Sequence, residues 1–162
     1  MSWLRNSLCV FLITSLTACG FTPLYANKRM LSSIEVQNIP GRSGQLLHAS
    51  LEDLFDPSSS GDTIIFTLAP QLSTQSVPIS IESDGTIQRY RILFKTSFTL
   101  TDVTTGEVIY SDTVTRTNSY NISDADYSTF VSEQDSIKRG LDELAQEIFL
   151  RISAFLSRYE KS

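Results

Sequence analysis

From Ile87 to Val103 the chain alternates with period two, a run well beyond the five or six residues of an ordinary strand. Tyr90, Ile92, Phe94, Phe98 and Leu100 fall on one side. Arg89, Arg91, Lys95, Ser97 and Thr99 fall on the other. A strand that is apolar on one face only needs a covering layer, so this segment already demands a two-layer architecture. Thr104-Thr105-Gly106-Glu107 reads as a short hairpin turn into Val108 to Tyr120, with Val108, Tyr110 and Val114 on one side.

The covering layer is also legible. Arg42 to Phe55 carries Leu46, Leu47, Leu51, Leu54 and Phe55 at helical spacing. Asp124 to Tyr159 repeats Ile137, Leu141, Leu144, Ile148, Ile152, Phe155 and Tyr159 at three and four, with Ala145, Phe149 and Leu156 widening the stripe. Ser123 or Asp124 can cap its start. Gly140 costs about 1 kcal/mol against Ala inside a helix, so it marks either close packing or a kink. A first strand is expected at Ile34 to Ile39, ended by Pro40-Gly41. Asp56 to Asp62 is a breaker, and Thr63 to Leu68 is a strand that continues loosely through Val77 and Ile81. Pro70 and Pro78 point there to edges or bulges. The order is β-α-β-β-β-α: an α+β two-layer sandwich of two helices on a mostly antiparallel, mixed four-stranded sheet. The crossover helix makes the first strand a candidate for parallel pairing.

The N-terminus carries an address. Arg5 precedes the apolar run Leu8 to Leu16, which is about half of the ~20 residues a membrane-spanning helix needs. Leu16-Thr17-Ala18-Cys19 resembles the bacterial lipobox, implying cleavage between Ala18 and Cys19 and lipidation of Cys19. With two or more acyl chains, such an anchor is stable. Gly20, where an Asp would favour the inner membrane, points to the outer membrane. The expected organisation is therefore a signal peptide at 1–18, a lipidated tether at 19–32 and one domain at 33–162. Loss of Arg5 takes the formal charge from −5 to −6, which speaks against nucleic acid as a partner. Cys9 leaves with the signal and Cys19 is consumed by lipid, so no thiol remains for a disulfide, metal or nucleophile.

Cys19-Gly20-Phe21-Thr22-Pro23-Leu24-Tyr25 resembles the start of LptE-type lipopolysaccharide-assembly lipoproteins. The stretches IEVQNIPGRSGQLLHASLEDLF, DGTIQRYRILFKTSFTLTD and EQDSIKRGLDELAQEI extend the resemblance over nearly the whole mature chain in element order. The chain departs from some members in stopping soon after its last helix, without a long polar tail. The resemblance implies a fold of two helices on four strands and a non-enzymatic role at the outer membrane, on its periplasmic side. There the family assists assembly of the LptD β-barrel, plugs it, and binds lipopolysaccharide in transit. No cofactor is implied. An adaptor or pilot lipoprotein of another envelope complex would share the anchor and the α+β domain, but not the CGFTPLY start.

Candidate site residues are few. His48 stands alone on the first helix, and no Ser, His and acid constellation, GxSxG or phosphate loop occurs, so neither a catalytic nor a metal site is expected. Arg89, Arg91 and Lys95 share one strand face, neighbouring positions being ~7 Å apart, a spacing suited to phosphates. They are the candidate contact for lipopolysaccharide or barrel. The competing reading is a solvated outer face balanced by Glu and Asp on neighbouring strands. Lys138-Arg139 and Lys28-Arg29 are weaker candidates, read as exposed charge.

Overall fold

The computed structural model describes residues 28–55, 63–81, 87–123 and 125–159. The expected signal peptide at 1–18, the expected cleavage site at Ala18–Cys19 and the expected lipidation of Cys19 lie outside the described residues.

The described chain opens with a single helical turn, α1 (Lys28–Leu31), inside the span expected as tether. Leu31, Ser32 and Ser33 are buried. Then follow β1 (Ile34–Val36), α2 (Arg42–Phe55), β2 (Phe66–Ile81), β3 (Ile87–Asp102), β4 (Val108–Asn121) and α3 (Asp126–Tyr159). The sheet order is β1-β2-β3-β4. β1 runs parallel to β2, with Ile34 opposite Phe66, and the other pairs are antiparallel. This is the expected α+β sandwich.

Both helices pack on one face of the sheet. The alternation of β3 places Ile92, Phe94, Phe98 and Leu100 in the core with at most 1% exposure. They meet Leu47, Leu51 and Phe55 of α2 and Leu141, Leu144, Ile148, Ile152 and Leu156 of α3 in one cluster. Leu46 falls off the buried face of α2, and Tyr159 lies beyond the covered length of α3; both are exposed. Gly140 marks close packing: a Cβ there would lie inside contact distance of Phe94 Cε2 and 2.9 Å from Cδ2.

Three local features differ from expectation. Val108 does not join Tyr110 and Val114 on the inner side. Leu100 pairs with Tyr110 but Thr101 pairs with Val108, so Ile109 is an extra residue that breaks the alternation. Val108 is consequently carried to the level of an outward residue and is 58% exposed. At the start of α3, the Ser123 hydroxyl donates to the Ala125 carbonyl instead of accepting a helix N–H, so it is not the expected cap. The Thr129 hydroxyl closes this turn by accepting from Ser123 N at 3.0 Å, and Asp124 lies outside the described residues. Finally, β2 is one sixteen-residue strand, with its irregularity confined to the register shifts after Pro78.

The prolines of β2 follow from its pairing. Leu68 presents its carbonyl to Gln37 N on the β1 side. Pro70 and Pro78 have the same parity as Leu68, so their nitrogens face the edge that β1, ending at Val36, leaves open. Neither proline interrupts the ladder to β3.

The β3–β4 turn is built by Asp102 and Gly106. One Asp102 carboxylate oxygen accepts from Thr104 N at 2.7 Å and Thr105 N at 3.1 Å. Gly106 takes φ +72°, a left-handed conformation that favours glycine.

Candidate functional site

With both helices on one side, the opposite face of the sheet is open, and Arg89, Arg91 and Lys95 point out along its middle. Their cross-strand neighbours are short and uncharged. Lys95 lies between Ser73 and Thr115, Arg91 between Val77 and Ser119, and Arg89 between Ser80 and Asn121. Asn121 accepts a 2.7 Å hydrogen bond from Arg89 Nε, which fixes that guanidinium. Arg91 and Lys95 have no ion-pair partner among the described residues.

The acid balance expected for a merely solvated face is missing from the paired strands. Among the described residues of β2, β3 and β4, no Asp or Glu shares the outward face with these cations. Asp112 of β4 lies opposite Phe98, on the helix side. The acid that the register does bring to the open face is Glu35, opposite Thr67. Thr67 is six residues along β2 from the level of Lys95, about 20 Å away. At roughly two Debye lengths in physiological salt, Glu35 screens Lys95 little. Among the described residues, the stripe is a local positive field on an acidic protein.

At the far end of the sheet, Ile79, Ser80, Gln88, Arg89, Asn121 and Ile122 line an open hollow of about 570 Å³. Arg89 thus links the stripe to a concavity with amide and hydroxyl groups, able to receive an anionic group with hydrogen-bonding substituents.

The other sequence candidates are placed differently. Lys138 pairs with Asp142 at 2.8 Å and Arg139 with Asp135 at 3.2 Å, both one turn apart on α3. The side chains of Lys28 and Arg29 lie outside the described residues. His48 lies with Nε2 3.1 Å from the Val36 carbonyl and Nδ1 3.2 Å from Glu52, a link between α2 and the end of β1. No group of three His, Cys, Asp or Glu side chains is placed to hold a metal ion among the described residues. No described helix is long and apolar enough to cross a membrane.

One charged cluster was not anticipated. Arg151 of α3 reaches Asp112 of β4 at 2.7 Å and Glu147 at 2.8 Å, and Arg116 of β4 reaches Glu147 at 2.9 Å. The Arg151 hydrogen bonds hold the carboxyls of both Asp112 and Glu147 below their usual range. Tyr110 donates to Asp112 at 2.9 Å, and burial together with that bond raises its phenol. All four ions have internal partners, so this cluster fastens α3 to β4 and leaves little charge for a ligand.

A family model described as LptE, lipopolysaccharide-assembly, matches residues 31–152. Among solved structures, a lipoprotein from Caulobacter crescentus superposes with a TM-score of 0.67 at 23% identity, covering 83% of this chain and 98% of that one. A minor lipoprotein from Acinetobacter baumannii gives 0.58 at 18% identity, covering 76% and 92%. The rare lipoprotein B from Shewanella oneidensis gives 0.58 at 11%, covering 78% and 96%. At these identities the likeness speaks for the fold. Among curated proteins none matches the chain. The family match spans every strand and all but the last turns of α3, and the chain belongs to the LptE lipopolysaccharide-assembly family.

Proposed function

We propose that this protein is an outer-membrane lipoprotein, cut after Ala18 and anchored through lipid on Cys19, that takes part in lipopolysaccharide transport. In this reading it supports assembly of an LptD-type β-barrel, plugs it, and contacts lipopolysaccharide without catalysing a reaction. Family membership supports the process and the barrel partner. The observation that carries the lipopolysaccharide contact is the row Arg89, Arg91 and Lys95 on an open sheet face, with no acid beside it among the described residues of β2, β3 and β4. Guanidinium pairs bidentately with phosphate, and hydroxyl and amide side chains on both sides suit the sugar atoms around it.

The test is charge reversal in soluble protein with Cys19→Ser. Arg91→Glu with Lys95→Glu leaves the Arg89–Asn121 bond intact, so the fold is expected to persist. Lipopolysaccharide binding should fall by at least about tenfold, and its salt dependence should flatten, for the loss of two phosphate contacts. Unchanged binding and unchanged co-purification with the barrel refute the assignment of the face. Co-purification of tagged wild type with a secretion or division component, and no barrel, would favour an adaptor role instead.

A further inference from the structure

At one border the sheet ends in β4, and the backbone groups along that border are largely unspent. Ile122 N donates to Gln88 O at 2.9 Å, and no register shift intervenes between Tyr110 and Asn121. Even-numbered residues of that stretch therefore turn their N–H and C=O toward β3, and odd-numbered ones turn theirs outward. Thr113 N is taken by Asp112 Oδ1 at 2.7 Å, and Ser119 O accepts from the Ser136 hydroxyl at 3.3 Å. Among the described residues, nothing pairs with the outward N–H of Ser111, Thr115 or Thr117. Ser111 to Thr117 is long enough for an ordinary strand of about five or six residues. It contains no Pro or Lys to blunt the edge, and the Ile109 bulge lies before it.

Unpaired N–H and C=O groups at strand spacing match another backbone, so the ligand they fit is an extended polypeptide. The helix layer narrows the choice. α3 lies over β4: Asn118 reaches the Ser136 carbonyl at 3.1 Å, Arg116 reaches Glu147, and Asp112 reaches Arg151. A second copy paired antiparallel on this edge would bring its own α3 to the same face, over a strand only about 5 Å away. Packed helices need about 8–10 Å between axes, so the two would collide. The occupant is therefore a strand with no helix of its own above it.

The same edge offers that strand a seat for one side chain. On the flank of α3 away from its contact with Ser50 of α2, a hollow of about 300 Å³ is lined by Arg116, Glu143, Gln146, Glu147 and Leu150. Leu150 is exposed, and Glu143 has no ion-pair partner among the described residues. A long side chain with an apolar stem and a basic head matches both.

We infer that β4 takes up an extended segment of the barrel partner as a fifth strand along Ser111 to Thr117, with a basic residue of that segment seated beside Arg116 in the hollow. This inference rests on the barrel partnership proposed above. The segment is a loop or terminal stretch, because the wall strands of a closed barrel have spent their backbone groups on one another.

Amide exchange tests it, because strand addition protects alternate residues and plain burial does not. The lipoprotein, free and co-purified with the LptD-type barrel, is exchanged in deuterium oxide, quenched, and read residue by residue by NMR. In the free protein the N–H of Thr115 and Thr117 should exchange fast beside slow Val114 and Arg116. In the complex, Thr115 and Thr117 should slow by at least about 100-fold. Thr117→Pro removes an outward N–H and no bond to β3, and should lower recovery of the barrel about tenfold, whereas Thr117→Val, which keeps the N–H, should lose far less. Fast exchange of Thr115 and Thr117 in an intact complex, or equal losses in the two variants, overturns the strand pairing and leaves the barrel partnership standing. Protection of these amides that rises with concentration in the free protein overturns the choice of occupant in favour of a second copy. Failure of the wild-type protein to co-purify with the barrel overturns the partnership, and this inference with it.

Discussion

Replacing Gly140 by Ala pits two known effects against each other, and the geometry decides between them. Helix propensity alone favours Ala over Gly by about 1 kcal/mol. The added Cβ, however, would sit inside contact distance of Phe94 Cε2, 2.9 Å from Cδ2 and 3.2 Å from Asn118 Nδ2. Phe94 is fully buried, so its ring has no solvent to yield into. Asn118 is committed by its bond to the Ser136 carbonyl at 3.1 Å. Overpacking costs about 1–3 kcal/mol, and with neither neighbour free to yield this site falls in the upper part of that range, about 2–3 kcal/mol, which leaves a net loss of about 1–2 kcal/mol after the propensity gain is taken off. Urea unfolding of the Cys19→Ser protein should show that loss as a lower midpoint with an unchanged slope, and a Tm lower by about 3–6 °C. In a Phe94→Leu background the same substitution should cost about 1 kcal/mol less, because the clashing ring is gone. Gly140→Ala as stable as wild type, or more so, refutes the close-packing argument.

Arg151→Met should cost roughly 1 kcal/mol at pH 7, a modest figure because the ion pairs are partly exposed. Asp112 and Glu147 both have folded-state values depressed below the ordinary 3.8 and 4.5, so their contribution is present above those values and lost as pH falls through the folded ones. Chemical denaturation from pH 7 down to pH 3 should therefore show wild type and variant converging at the acid end; a constant gap refutes the linkage. Gly106→Ala meets no neighbouring atom within 4 Å, so its expected cost of about 1–2 kcal/mol comes from the left-handed φ alone, read as a shift in midpoint.

Regular periodicity made β3, α2 and α3 legible, because each buries a single face and the apolar spacing records which one. The features that escaped depend on pairing. Val108-Ile109-Tyr110 contains no glycine or polar residue to announce a bulge, and only the register with Leu100 and Thr101 exposes it. The turn Lys28–Leu31 is too short to show a helical period. Likewise, the stripe Arg89, Arg91 and Lys95 could be read from one strand, but its lack of acidic neighbours could not. That required knowing that Ser73, Val77, Thr115 and Ser119 are the residues alongside. The cluster of Asp112, Arg116, Glu147 and Arg151 joins residues 31 to 39 positions apart, beyond any local pattern.

The two borders of the sheet are chemically unequal. Along β2 beyond β1, the buried Pro70 and the exposed Pro78 each lack the donor that a further strand would pair with, so the row has gaps. β4, from Val108 to Asn121, contains no proline. A further strand would therefore meet a row without prolines along β4, where Thr113 N is the donor already taken, by the Asp112 carboxylate, and an interrupted row along β2. A molecule with one growing border and one closed one can add a partner strand without seeding an open-ended stack of its own copies.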